Sequence, residues 1–161
     1  MTAKRHHNAK SITLSHDIAY QTAMIDGFAL IDMPIDDLRL KKSLLDSSCG
    51  ALATFEGWVR HHNNARPVDR LTYYGYEQLA LNLGKKLVAQ ACTKFAIERA
   101  VAMHRIGDLA IGEMAVWIGV TARHRYPAFE ACRWLLDAIK AEIPVWKQEF
   151  YTDNNCLLYT S

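Results

Sequence analysis

No stretch of the sequence approaches the roughly 20 apolar residues that a membrane-spanning helix needs. The opening segment, MTAKRHHNAKSITLSHD, has no apolar run of signal-peptide type. Both absences point to a cytosolic protein and away from a membrane one. Charge of one sign is also scarce. There are 19 basic and 17 acidic residues, a net +2, too mild for a general nucleic-acid binder. Any basic site must therefore come from local clustering. Only four cysteines occur, at Cys49, Cys92, Cys132 and Cys156. None forms a C-x-x-C pair, which argues against a thiol zinc site or a dithiol redox centre. Buried or free thiols in a reducing compartment are the expectation. Repeats and low-complexity tracts are lacking too.

What is present fits one globular domain. Half of the 161 residues are hydrophobic and 22% are charged, enough for a single sizeable core and too few residues for two comfortable ones. Residues 1–26 read as a loose polar arm, 27–151 as one domain and 152–161 as a tail. Strands are expected at 27–33, 51–60, 70–76, 101–107, 114–122 and 145–151. Pro34 suits the first turn of a short helix. A longer helix is expected over 78–99, with Leu79, Leu83, Leu87, Ala91 and Phe95 on one face. Another is expected from Pro127 to Glu142, with Ala128, Ala131, Cys132, Leu135 and Ile139 inward and Pro144 ending it. The segment HHNNARPVD (61–69) reads as a loop, and a turn is expected around Gly107, Asp108 and Gly112. The mixture lacks a strict βαβ rhythm, so the fold class is α+β: a mixed, largely antiparallel sheet with two main helices packed on it.

Three places could carry chemistry. At TARHRYPAFEA (121–131) a buried strand hands over to a helix, whose free N–H groups favour an anion. Arg123, His124 and Arg125 arrive there, although a solvated basic loop has the same composition. At GWVRHHN (57–63) Arg60 ends a strand. It could grip an anion or simply face water. The adjacent His61 and His62 cannot easily share one metal ion, and no carboxylate set supports them. The third place is AIKAEIPVWKQEF (138–150), where Lys140 and Lys147 stand among apolar residues. Lysines so placed can serve acid–base or covalent steps, or can snorkel their amines into water. On a strand, Glu149 shares a face with Lys147. No serine, cysteine or carboxylate pair stands out as a nucleophile, and Cys132 lies on a core face. The residues alone give an anion-binding cleft with lysines and name no reaction. A non-catalytic anion-binding module, or a structural subunit that uses Trp58, Trp117 and Trp146 for packing, stays open.

Three segments occur in a distinctive order: GALATFEGWVRHHN, then HRIGDLAIGEMAVWIGVTARHRYPAFEACRWLLDAIK, then IPVWKQE. Over about residues 50–150 the chain resembles the large, catalytic subunit of molybdopterin synthase. The resemblance implies an α+β fold, a homodimer of large subunits, and one small ubiquitin-like sulfur carrier on each, giving a heterotetramer. It implies that the carrier's Gly-Gly tail, ending in a thiocarboxylate, donates sulfur to cyclic pyranopterin monophosphate, twice, to build a dithiolene. It implies no metal and no organic cofactor. Matched residue by residue, it places Trp58, Val59, Arg60, His124, Arg125, Lys140, Lys147, Gln148 and Glu149 around substrate and tail, with Lys140 and Lys147 catalytic. Arg60, His124 and Arg125 would then hold the phosphate. Lys140 would meet the thiocarboxylate, Lys147 would stabilise developing negative charge, and Glu149 would orient Lys147. The chain departs from the family pattern in its longer arm and in TDNNCLLYTS (152–161). That tail lacks the glycine–tryptophan ending and the basic residue often found there.

Overall fold

A computed structural model describes residues 6–160, with side chains placed over 16–159. In chain order the elements are α1 His6–Asp26, β1 Phe28–Ile31, α2 Asp37–Ser43, β2 Ala51–Trp58, β3 His62–Asn63, β4 Arg66–Gly75, α3 Glu77–Lys94, β5 Arg99–Arg105, β6 Gly107–Ala110, β7 Met114–Ala122, α4 Arg125–Glu142, β8 Val145–Tyr151 and β9 Cys156–Thr160. The class is α+β, as the sequence implies. The strands divide between two sheets rather than forming one.

The first sheet has the order β1-β5-β7-β2, antiparallel except for the parallel β1–β5 pair. All nine residues of β7 are buried, because helices cover both faces. Val116, Ile118, Val120 and Ala122 point toward Ala128, Ala131, Leu135 and Ile139 of α4 and toward Ala80, Leu87 and Val88 of α3. Trp117, with Val101 and Met103 of β5, points the other way, toward Tyr20 and Ala23 of α1 and Leu40 of α2. This alternation is the period-two rule of a strand applied to a two-sided core.

The second sheet has the order β3-β4-β8-β9, with β6 also paired to β4. Its register sets Tyr73 opposite Lys147, Leu71 opposite Glu149, and Lys147 opposite Tyr159. Alternate residues face opposite ways. Tyr73, Lys147, Glu149, Tyr151 and Tyr159 therefore share one face, while Tyr74, Trp146, Gln148 and Phe150 share the other.

Several expectations need correction. Residues 1–5 lie outside the described residues. From His6 the expected loose arm is a helix, and in its placed part Tyr20 and Ala23 are fully buried against the first sheet. Pro34 precedes the N-cap of α2, which is Asp36, whose carboxylate accepts the Arg39 N–H. The expected loop at 61–69 contains a tight hairpin. Asn64 and Ala65 take φ of 49° and 60°, the left-handed conformation that a two-residue hairpin turn demands. On α3 the buried stripe is Ala80, Gly84, Leu87, Val88 and Ala91, whereas Leu79 is half exposed. Gly84 falls on that stripe because the Phe28 ring takes the place of a side chain there. The turn around Gly107 holds a short strand, β6. The tail holds β9, because the outer edge of β8 offers unpaired backbone groups to which 156–160 can bond.

Candidate active site

β7 turns through Arg123 and His124 directly into α4, so α4 runs back along the first sheet. Its N-terminus lies at the Ala122 end of β7, where Gly50 sits against the Arg123 carbonyl. Its C-terminus lies at the Met114 end. Arg125 and Lys140 both stand on this helix. At 1.5 Å per residue they are separated by about 22 Å. The sequence-based expectation of one recess lined by all the cationic residues therefore fails within one chain. His124 and Arg125, both exposed, form one group. The lysines form another.

The lysine group is a built structure. Lys147 Nζ lies 2.8 Å from Glu149 Oε1. The other carboxylate oxygen accepts hydrogen bonds from Tyr151 OH at 2.6 Å and Asn63 Nδ2 at 2.9 Å. The Glu149 side chain is 4% exposed and that of Lys147 is 27% exposed. The acid is thus an interior anchor, and the amine reaches the surface. Burial pushes the Glu149 carboxyl up, but the bonds from Lys147, Tyr151 and Asn63 outweigh it and hold it below the ordinary glutamate value. Glu149 is therefore an anion at neutral pH, and Lys147 is fixed beside it.

Tyr73 and His104 continue the patch. Their rings meet edge to face at 4.9 Å. Burial, and then the Glu149 charge, push the Tyr73 phenol up to about 12. His104 is buried, and its Nδ1 donates to the Arg105 carbonyl at 2.7 Å. Burial, opposed by that hydrogen bond and aided by the charge of Lys140, carries its pKa down to about 4. Lys140, an exposed residue in the last turn of α4, is thus electrostatically coupled to His104. The chain of neighbours runs Lys140, His104, Tyr73, Lys147, Glu149.

Arg60 is at the same end. Its neighbour Val59 bonds both ways to the turn before β7, and His61 accepts the Val68 N–H. Three residues on, Asn63 reaches Glu149. Two expected lining residues are placed elsewhere. Val59 is buried with Leu71, Leu109 and Ala115, so it packs. Gln148 lies on the opposite face of β8 from Lys147, where it accepts from Tyr74 OH at 3.0 Å and donates to Cys156 Sγ. Trp58 is half exposed. Sequence reading missed Tyr73, His104, Asn63 and Tyr151. The period-two spacing that pairs Lys147 with Glu149 also reaches Tyr151, and could have found it. The others depend on cross-strand register.

Burial pushes the Cys132 thiol up to about 11, so it is packing and not a nucleophile at neutral pH. Among the described residues, no cluster of three or more His, Cys, Asp or Glu is placed to hold a metal ion. No helix among them is long and apolar enough to cross a membrane. The site is thus an anchored lysine–glutamate pair with a second, exposed lysine nearby, and it is suited to gathering anions at its surface.

Known proteins of the same build exist. The profile of the MoaE protein family matches residues 30–142. The molybdopterin synthase catalytic subunit of Pyrococcus abyssi is 36% identical over 124 residues, which is 75% of this chain and 83% of that protein. The subunit of the same name from Bacillus subtilis is 35% identical over 129 residues, 80% of this chain and 82% of that one. Among solved structures, molybdopterin synthase from Staphylococcus aureus superposes with a TM-score of 0.77 at 26% identity, covering 82% of this chain and 96% of its own. A complex of subunits 1 and 2 of the molybdopterin-converting factor from Helicobacter pylori shares the fold, with a TM-score of 0.67 at 22% identity, covering 83% and 90%.

Proposed function

The chain belongs to the MoaE protein family and is a sulfurtransferase of molybdopterin synthesis, and from that premise we propose how its residues carry out the transfer. A small ubiquitin-like carrier brings sulfur as a C-terminal Gly-Gly thiocarboxylate, and cyclic pyranopterin monophosphate receives it. Two deliveries complete the dithiolene. Both guests are anions, so the cleft must offer fixed positive charge. Lys140 meets the thiocarboxylate and handles proton transfer. Lys147, held by Glu149, stabilises the negative charge that develops as the carrier's acyl–sulfur bond breaks. The sulfur passes to a carbon of the pyranopterin and the acyl group to water, which restores the carrier's carboxylate. Arg60 holds the phosphate through charge-assisted hydrogen bonds.

The single observation that carries this reading is the Lys147–Glu149 pair, an amine at the surface fixed by an anchored carboxylate. Such fixing is what electrostatic stabilisation requires, because the charge need not be reorganised during the reaction.

His124 and Arg125 enter through a second copy. They lie about 22 Å from Lys140 along α4, so one chain cannot bring both groups to one substrate. A two-fold homodimer would let the basic end of one α4 complete the lysine end of the other. With a carrier bound to each copy, the assembly is a heterotetramer. The four cysteines are free thiols, which fits a reducing compartment, and we place the reaction in the cytoplasm.

The test is direct. The purified chain is mixed with a thiocarboxylated carrier and the pyranopterin, and dithiolene product is measured. Product that vanishes on Lys140→Ala, with dimer and carrier binding intact, is expected. No product from the unaltered chain, or undiminished product from the variant, would overturn the assigned roles. Binding of phosphorylated ligands alone would leave an anion-binding module.

A further inference from the structure

The tail strand β9 does more than extend a sheet. Its register sets Tyr159 opposite Lys147, and Lys147 Nζ lies 5.4 Å from the centre of the Tyr159 ring. That separation lies within the range in which an aromatic face attracts an ammonium. The hydroxyl of the same residue is 2.9 Å from Tyr151 OH. Tyr151 has one hydroxyl proton, and it goes to Glu149 Oε2 at 2.6 Å. The proton shared between the tyrosines therefore comes from Tyr159. The bonds run in one direction: Tyr159 donates to Tyr151, and Tyr151 donates to Glu149. A one-way chain of this kind strengthens each member.

Tyr159 thus acts on both members of the Lys147–Glu149 pair, with its ring near the cation and its hydroxyl supporting the anion through Tyr151. Among the described side chains of β9, no other makes a comparable inward tie. Leu157 and Leu158 are 43% and 65% exposed, and Cys156 is exposed. We propose that Tyr159 is a positioning residue for Lys147, through which the C-terminal strand holds the amine in its working place. The inference rests on the catalytic reading of Lys147 given above.

Three variants test it: Tyr159→Phe, which keeps the ring, Tyr159→Leu, which removes ring and hydroxyl, and Tyr159→Leu combined with Lys147→Ala. Circular dichroism and thermal melting establish that each is folded. In Tyr159→Leu, kcat should fall roughly three- to tenfold, the range for a partly exposed cation–ring contact, while KM for the pyranopterin and carrier affinity hold. Tyr159→Phe should fall between Tyr159→Leu and the unaltered chain. In the Lys147→Ala background, Tyr159→Leu should change nothing further, because a residue acting through Lys147 has nothing left to act on. An unchanged kcat in Tyr159→Leu, or the same fractional loss with and without Lys147, would overturn the proposal. If the unaltered chain makes no dithiolene, the catalytic reading fails, and a separate measurement still decides the placement. In Tyr159→Leu, acetic anhydride should label Lys147 several-fold faster and Lys140 at its former rate. Equal labelling of Lys147 would show that Tyr159 does not hold it.

Discussion

Lys147 and Glu149 are two residues apart on one strand, and their charged atoms meet at 2.8 Å, the acid buried and the base reaching water. Glu149→Gln keeps the shape and removes the charge. Its amide still accepts from Tyr151 or Asn63, but Lys147 loses its anionic partner. Stability should drop by about 2 kcal/mol, the scale of a charged hydrogen bond lost in the interior. Sulfur transfer should fall at least tenfold with little change in carrier affinity. Denaturant unfolding and steady-state kinetics on the same variant check both. Full activity would mean that the amine needs no anchor.

Lys140 gives the opposite profile. The residue is exposed and its amine has no hydrogen-bond partner among the described residues, so Lys140→Ala should alter stability by less than about 1 kcal/mol, the worth of one cation at a helix C-terminus. Activity should be lost. The variant also has a spectroscopic consequence, because the Lys140 charge helps keep His104 neutral. Removing it should raise the His104 pKa, read by NMR titration of the ring protons. An unmoved titration would show that the two residues are not coupled.

His104 should also make stability depend on pH. In the unfolded chain its ring takes a proton near the ordinary value of 6.5, but in the fold only near 4. Between those values the unfolded state binds the extra proton, so stability falls as pH falls from 6.5 toward 4. The whole span is roughly 3 kcal/mol. His104→Gln should flatten that part of the profile, measured as melting temperature against pH.

At Gly84 two effects compete. Alanine in mid-helix is favoured over glycine by about 1 kcal/mol. A Cβ there, however, would lie 2.1 Å from Phe28 Cδ1 and 2.2 Å from its Cγ. Phe28 is fully buried, so its ring has nowhere to go. Overpacking costs about 1–3 kcal/mol and should win. Gly84→Ala should therefore lower the melting temperature.

The two basic groups can be tested across copies. Arg125→Ala and Lys140→Ala should each be inactive alone. Unfolded and refolded together, half of the pairs would be mixed and each would hold one complete site, restoring about a quarter of full activity by random assortment of a two-fold dimer. No recovery would mean that each chain uses its own residues.

Much of this was legible in the residues. The spacing of Ala128, Ala131, Cys132, Leu135 and Ile139 gives the buried face of α4 correctly, and the apolar run 114–122 gives the central strand. Both signals are local and strong. Alternation along 145–151 also placed Lys147 with Glu149, and the same rule removes Gln148 from the cleft. What the residues could not give was register between distant strands. Asn63 is 86 positions from Glu149, and nothing in either segment announces the other. The helix α1 escaped because the buried residues among its described side chains, Ala19, Tyr20 and Ala23, are few and mostly small. The tail strand escaped because it is held by backbone pairing with β8, to which side-chain pattern is blind.

The length of α4 has a consequence for how this chain can vary. The helix separates Arg125 from Lys140 by a fixed number of turns, and so works as a ruler for the spacing of two charge groups. One inserted residue would swing Lys140 by about 100° around the axis while leaving composition and charge untouched. Loops elsewhere can lengthen without disturbing that measure. Substitution along the exposed side of the helix should thus be tolerated where insertion or deletion is not.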